Sequence, residues 1–187
     1  MAIRPIVIRG EPVLHTPATP VTAFDKDLRA LIRDMFDTVD AAPGVGLAAP
    51  QIGVGQRVIV YDFDHDSDAP RRGVIVNPEL FMSPLEVREP HDSEDEGCLS
   101  FPGERFGLVR AHRVILRAQD ASGQPFTIEA DGWFARILQH EVDHLHGVMY
   151  VDRLDAIQAH VAHKVTKKRG WGIPGNTWTP GIDRLED

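Results

Sequence analysis

Residues 132–147 read GWFARILQHEVDHLHG, and this stretch decides our interpretation of the fold. Asp131 precedes it as a suitable helix N-cap and Gly147 ends it, so we predict a helix between them. Apolar residues recur along the segment at helical spacing, which predicts that the helix is buried. His140 and His144 are four residues apart and therefore share one face of that helix.

We predict that the two histidines on one helical face form part of a metal site. Imidazoles at positions i and i+4 can bind one ion, and Glu141 can reach a water on that ion without binding the metal itself. Two imidazoles and a carboxylate in a buried helix are costly without a partner, and a metal ion supplies one. The alternative is a surface helix with two solvated histidines, which the apolar neighbours disfavour.

A catalytic site of this kind normally has three protein ligands and one open position, so one ligand is still missing. Downstream candidates are Asp152, Asp155 and His160. Upstream, the only cysteine, Cys98, lies in the Gly/Pro-containing segment EGCLSFPG at 96–103. Core filling explains a cysteine there poorly, and its thiolate would complete a Cys/His/His set. The residue types leave the ion open, because zinc, ferrous iron, nickel and cobalt all accept such ligands.

The rest of the sequence predicts a single α+β domain over 1–187. Residues 25–42 have helical periodicity, and the strand candidates are 57–63, 73–80, 113–120 and 124–131. We expect a basic C-terminal helix and tail at about 152–187, with the helix over 152–170. This order predicts mostly antiparallel β-sheets around a central helix that carries the His-Glu-x-x-His motif, plus N-terminal and C-terminal helices.

Charge and composition exclude several classes of function. The formal net charge is −8, which gives no general attraction for DNA, and one cysteine excludes an intramolecular disulfide. No apolar run approaches the roughly 18 residues that span a membrane, and the first residues lack a secretory signal pattern. The acidic segment 62–68 lacks the glycine and glutamate of a calcium loop, so we expect it to be solvated, as we do the acids before Cys98. We expect a monomeric cytoplasmic protein without DNA or membrane partners.

Three segments resemble, in the same order, the three motifs of the peptide deformylases. They are GVGLAAPQIG at 44–53, EGCLSFPG at 96–103 and QHEVDHLHG at 139–147. The resemblance covers about residues 3–160, and the tail resembles actinobacterial members. Members of this family are metal-dependent hydrolases that remove the N-formyl group from the formylmethionine of newly made polypeptides and release formate.

The resemblance also implies a role for individual residues. The implied metal ligands are Cys98, His140 and His144, and the ion is one divalent metal, Fe²⁺ first, with Zn²⁺, Ni²⁺ or Co²⁺ as alternatives. Metal-held water would attack the formyl carbon, with Glu141 as general acid/base. The implied oxyanion donors are the Gln51 side chain and the backbone N–H of Leu99. Gly46 would offer its backbone to the substrate, and the walls expected for the methionine pocket are Val45, Ile137 and residues 105–108.

Two other functions fit parts of the pattern. The helix motif alone also suits a metallopeptidase that cuts ordinary peptide bonds, although Cys98 and Gln51 do not suggest one. A metal-stabilised binding module would need a fourth protein ligand and would leave Glu141 without a task.

The basic end of the last helix has two explanations. Its cations are Lys164, Lys167, Lys168 and Arg169. They would contact ribosomal RNA near the exit of the new chain, or they would simply be cations placed favourably at a helix C-terminus.

Overall fold

The computed structural model describes residues 2–63, 71–183 and 185. Of the acidic segment 62–68, which we expect to be solvated, residues 64–68 lie outside the described residues. Within these ranges the α-helices are α1 (Lys26–Ala41), α2 (Gly132–Leu145) and α3 (Ala156–Arg169). The strands are β1 (Ile6–Val7), β2 (Gly46–Ala48), β3 (Val58–Phe63), β4 (Arg71–Met82), β5 (Asp95–Cys98), β6 (Phe101–Gly107), β7 (Arg113–Gln119), β8 (Pro125–Asp131) and β9 (Thr177–Trp178). The predicted α+β class is confirmed.

The strands form three antiparallel groups. The largest is a five-stranded sheet in the order β2-β3-β4-β7-β8, and β5-β6 and β1-β9 are two-stranded. All these named strands pair in antiparallel fashion, as expected. Because β2 is at the end of the five-stranded order, it pairs with β3 on one side only.

Helix α2 is the central element. Every residue from Phe134 to Leu145 is buried, because the apolar side of α2 packs on the five-stranded sheet in a cluster that includes Ile59, Leu116, Leu138 and Val142. The same burial encloses the polar residues of the motif. Asp131 occupies the N-cap position, but its side chain accepts no capping hydrogen bond, so that detail of the prediction is wrong.

Helix α1 follows its sequence prediction closely. The Asp25 side chain accepts hydrogen bonds from the backbone N–H groups of Asp27 and Leu28, which satisfies two of the free donors at the helix start. A cap of this kind stabilises a protein by about 1 kcal/mol. The buried stripe contains Leu28, Ile32, Met35 and Val39 and faces the core.

The C-terminal region differs from its prediction in one boundary. Helix α3 begins at Ala156 rather than at 152, because Asp155 caps it and residues 150–152 form a separate 3₁₀ turn. Gly170, in the left-handed conformation, ends the helix. None of the described helices is long and apolar enough to cross a membrane.

Candidate metal centre and catalytic cleft

The end of β5 and one face of α2 bring three potential metal ligands together. The ligand atoms of Cys98, His140 and His144 all lie within 4.8 Å of one another, and all three residues are buried. Cys98 Sγ is 3.3 Å from His144 Nε2, and the two imidazole rings meet edge to face with centroids 5.0 Å apart. A turn of helix thus supplies two donors and a strand end supplies the third.

A buried carboxylate orients the first histidine. Glu96 Oε1 is 2.6 Å from His140 Nδ1, which leaves Nε2 of that ring free to act as a metal ligand. Glu96 is 4% exposed, so the expectation that the acids before Cys98 face solvent is wrong for this residue. Burial acts to raise the pKa of Glu96, but His140 and Arg110 outweigh it and hold that pKa well below its usual value.

The carboxylate of Glu96 belongs to a buried network of ion pairs. Arg110 holds it with two hydrogen bonds of 2.7 and 3.0 Å, and Arg136 adds a third at 3.1 Å. Arg110 also donates to Asp143 at 2.6 Å, and Asp143 is held from its other side by Arg153. Removing one partner of a buried ion pair typically costs about 3–5 kcal/mol. The network therefore fixes β5 against α2.

The remaining polar groups fit a bound metal ion. Among the described residues, Glu141 Oε2 is buried without a hydrogen-bond partner, although an unsatisfied buried group is costly. Burial raises the pKa of Glu141 to about 7. Cys98 Sγ accepts from Ser100 N at 3.4 Å and from Gln51 Nε2 at 3.6 Å. A thiolate and two imidazoles suit a transition-metal ion or zinc.

Strand β2 and the short helix after it bring two further motif residues beside the ligands. Gln51 Oε1 accepts from Ala48 N at 2.8 Å, so the amide nitrogen of Gln51 is directed toward Cys98. Gly46 passes so close to Glu141 that an added Cβ would lie 2.6 Å from Glu141 Oε1. A residue with any side chain at position 46 would therefore displace the carboxylate.

The cluster opens into a cleft of about 640 Å³. Its lining includes the predicted residues Val45, Gly46, Gln51, Leu99, Ile137 and Glu141. Of the expected wall at 105–108, Arg105 lines the cleft, whereas Leu108 is buried in the core. Trp133 also lines the cleft and is 43% exposed; its place at the start of α2, four residues before Ile137, was the clue available in the sequence.

The other candidate ligands lie elsewhere. Asp152 pairs with Arg9 at 2.8 Å and caps the turn that begins at Met149. Asp155 caps α3, and His160 is exposed on that helix. Cys98 is thus the residue that joins the two histidines.

This arrangement is that of a metal-dependent hydrolase. It combines two histidines one helical turn apart, a glutamate beside them, a cysteine opposite and an open cleft. Comparison with known proteins specifies the class. The sequence model of the family described as polypeptide deformylase matches residues 3–160. The chain belongs to the polypeptide deformylase family, whose members depend on a metal.

Relatives and solved structures of this family match the chain over nearly its whole length. The peptide deformylases of Mycolicibacterium smegmatis and Mycolicibacterium paratuberculosis are 50% and 51% identical to this chain over 189 residues. Each alignment covers 97% of this chain and 96% of the relative. The crystal structure of a peptide deformylase from Legionella pneumophila has a TM-score of 0.79 at 42% identity and covers 90% of this chain and 96% of that chain. The Synechococcus elongatus enzyme in complex with actinonin has a TM-score of 0.76 at 34% identity and covers 91% of each chain.

Proposed function

We propose that this chain removes the N-formyl group from the N-terminal formylmethionine of newly made polypeptides and releases formate. The observation that carries this proposal is the Cys98, His140 and His144 cluster beside Glu141 in an open cleft, in a chain of this family. The bond broken is the formyl C–N bond, a C–O bond forms from water, and the products are formate and a free amino terminus.

We assign Cys98, His140 and His144 as the ligands of one divalent ion, with Fe²⁺ as the physiological ion and Zn²⁺, Ni²⁺ or Co²⁺ as substitutes. When bound, such an ion polarises the formyl carbonyl and lowers the pKa of water toward about 7. Because a thiolate can be oxidised, Cys98 makes the site sensitive to oxygen. Glu96 holds His140 in the orientation that the ligand set needs.

Glu141 acts as the general acid/base. Its carboxylate is buried beside the three ligand residues and lines the cleft, which is the position that a group taking and returning a proton needs. We propose that it accepts a proton from the attacking water. It then returns that proton to the departing amine nitrogen, so that the amine leaves neutral.

Gln51 and Leu99 stabilise the negative charge that develops on the formyl oxygen. The support for Gln51 is the hydrogen bond from Ala48, which fixes its carbonyl and turns its amide N–H groups toward the cluster. Leu99 directly follows Cys98 and lines the cleft, so its backbone N–H is the nearest main-chain donor in sequence to that ligand. Each donor of this kind typically contributes about 3–4 kcal/mol to the transition state.

The substrate lies along β2. Because β2 is an edge strand, the backbone of Gly46 is available to pair with an extended peptide. Val45 and Ile137 line the same cleft and supply apolar surface for the methionine side chain.

Product analysis tests the reaction and separates it from ordinary peptide cleavage. Formyl-Met-Ala-Ser is incubated with the iron-loaded protein, and the products are identified by mass spectrometry. We expect an intact tripeptide that has lost only its formyl group. Cleavage between the amino acids would instead identify a metallopeptidase and contradict the proposal.

We further propose that residues 1–187 act as one monomeric catalytic domain in the cytoplasm, where formylated chains emerge, and that α3 contacts the ribosome. The support is a row of exposed cations at the end of α3, on a protein of net charge −8: Lys164, Lys167, Lys168 and Arg169. Replacing the three lysines by glutamate should abolish co-sedimentation with ribosomes. A matched charge reversal on α1 is the control, at Lys26, Arg29 and Arg33. Equal co-sedimentation of both variants would contradict the contact.

A further inference from the structure

The turn that carries Cys98 is held by both ends of the chain. Leu99 O accepts a hydrogen bond from Trp178 Nε1 at 2.8 Å, and Ser100 O accepts one from Arg9 N at 2.9 Å. Trp178 is 2% exposed and belongs to β9 in the C-terminal tail. Two consecutive carbonyls next to Cys98 are thus fixed by donors that do not belong to the Cys98, His140 and His144 cluster.

The tail that supplies Trp178 is itself firmly anchored. Strand β9 pairs with β1, with Trp178 opposite Ile6. Ile8 N donates to Asn176 O at 3.0 Å, and Gly172 N donates to Arg9 O at 2.8 Å. The indole is therefore a donor with a fixed position rather than a side chain that adapts to the turn.

One planar peptide unit connects the indole to the sulfur. The carbonyl of Leu99 and the N–H of Ser100 belong to the same peptide group, and in a trans peptide they point in opposite directions. The carbonyl accepts from Trp178, and the N–H donates to Cys98 Sγ at 3.4 Å. Any rotation of this plane would change both hydrogen bonds together.

We infer that Trp178 is a positioning residue, whose indole N–H fixes the Leu99–Ser100 peptide and through it the sulfur of Cys98 and the backbone of Leu99. This inference rests on the proposed function, in which Cys98 binds the metal and Leu99 donates to the oxyanion. Residue 178 lies beyond the 3–160 stretch that the family model matches, so the tail adds a component of the site that this stretch does not contain.

A pair of tryptophan variants tests the inference. Trp178→Phe removes the N–H donor and keeps an aromatic ring. Trp171→Phe is the matched control, because Trp171 is also buried in the tail and packs edge to face on Phe101 at 5.0 Å, while among described residues its indole makes no hydrogen bond to the Cys98 turn. Trp178 can also be replaced by benzothienylalanine, which keeps both fused rings and exchanges the N–H for sulfur.

Three readouts are compared at equal metal loading: kcat and KM on formyl-Met-Ala-Ser, the thiolate-to-cobalt charge-transfer band of the Co²⁺-loaded protein, and hydrogen exchange of the Leu99 and Ser100 amides. For both changes at Trp178 we expect kcat to fall about three- to tenfold with little change in KM, the loss expected for one neutral hydrogen bond. The cobalt band should shift and the two amides should exchange faster. Trp171→Phe should keep wild-type values in all three.

Equal behaviour of the Trp178 and Trp171 variants would overturn the inference, as would a wild-type cobalt band and wild-type exchange in the benzothienylalanine protein. The latter protein retains the shape of the core, so it decides the matter even where Trp178→Phe fails to fold. Failure of the proposed function would be recognised separately, because the wild-type protein itself would then release no formate. The cobalt band would still report the position of the sulfur in that case.

Discussion

Replacing Gly46 by alanine tests how closely β2 approaches the proposed general acid/base. A Cβ at this position would lie 2.6 Å from Oε1, 3.0 Å from Cδ and 3.1 Å from Cγ of Glu141. All three distances are shorter than the roughly 3.5 Å at which nonbonded heavy atoms make favourable contact. Glu141 is 4% exposed and borders the cleft, so the cleft is the open space into which its carboxylate can be displaced.

The structure sets the size of the effect. To relieve the contact, the carboxylate must move by roughly 0.5–1 Å, and a misplacement of about 1 Å in a catalytic group can cost about 100-fold in rate. We therefore expect Gly46→Ala to lower kcat about 100-fold. The added methyl in a packed site should also lower the free energy of unfolding by about 1–3 kcal/mol.

The assay is formate release at saturating formyl-Met-Ala-Ser, with metal content and thermal unfolding measured on the same samples. Gly55→Ala is the matched control, because the nearest atom to an added Cβ there is Val13 Cγ2 at 3.8 Å. The control should keep wild-type kcat. A folded, metal-loaded Gly46→Ala protein with wild-type kcat would refute the reasoning, and so would a change confined to KM.

Two further substitutions separate metal binding from folding. Glu96→Gln should weaken metal affinity about 10- to 100-fold, because His140 loses the carboxylate that orients it. Competition with a chromophoric chelator measures this affinity, and an unchanged affinity in the folded variant would argue against the role of Glu96. Asp25→Ala should lower the free energy of unfolding by about 1 kcal/mol through loss of the α1 cap and leave kcat unchanged. Urea denaturation measures the free energy of unfolding, and no loss of stability would show that the cap contributes nothing.

The parts of the structure with local periodicity could be predicted from the sequence. Helices α1 and α2 follow from apolar residues at helical spacing, and the i, i+4 pair of histidines on α2 is local as well. Strands β3, β7 and β8 begin and end close to their predicted bounds. In each of these segments the pattern of a few neighbouring residues decides the element.

The parts that depend on distant partners were missed. Strands β2, β5 and β6 are short or contain glycine and proline, so alternation does not reveal them. Glu96 was expected to face solvent because a carboxylate usually does, and its partners Arg136 and His140 lie 40 and 44 residues away. Since β5 alternates, the two-residue spacing of Glu96 and Cys98 was the available clue to a shared face. Trp178 and Leu99 are 79 residues apart, and no local pattern connects them.

The most direct test of the proposed function is formate release from formyl-Met-Ala-Ser by iron-loaded protein purified without oxygen, beside the Glu141→Ala variant at equal metal content. We predict formate from the wild type and a rate at least about 100-fold lower from the variant, because general acid/base catalysis typically contributes 10²- to 10⁴-fold. No formate from a folded, metal-loaded wild type would contradict the deformylase reaction. An undiminished rate in Glu141→Ala would contradict the role of Glu141.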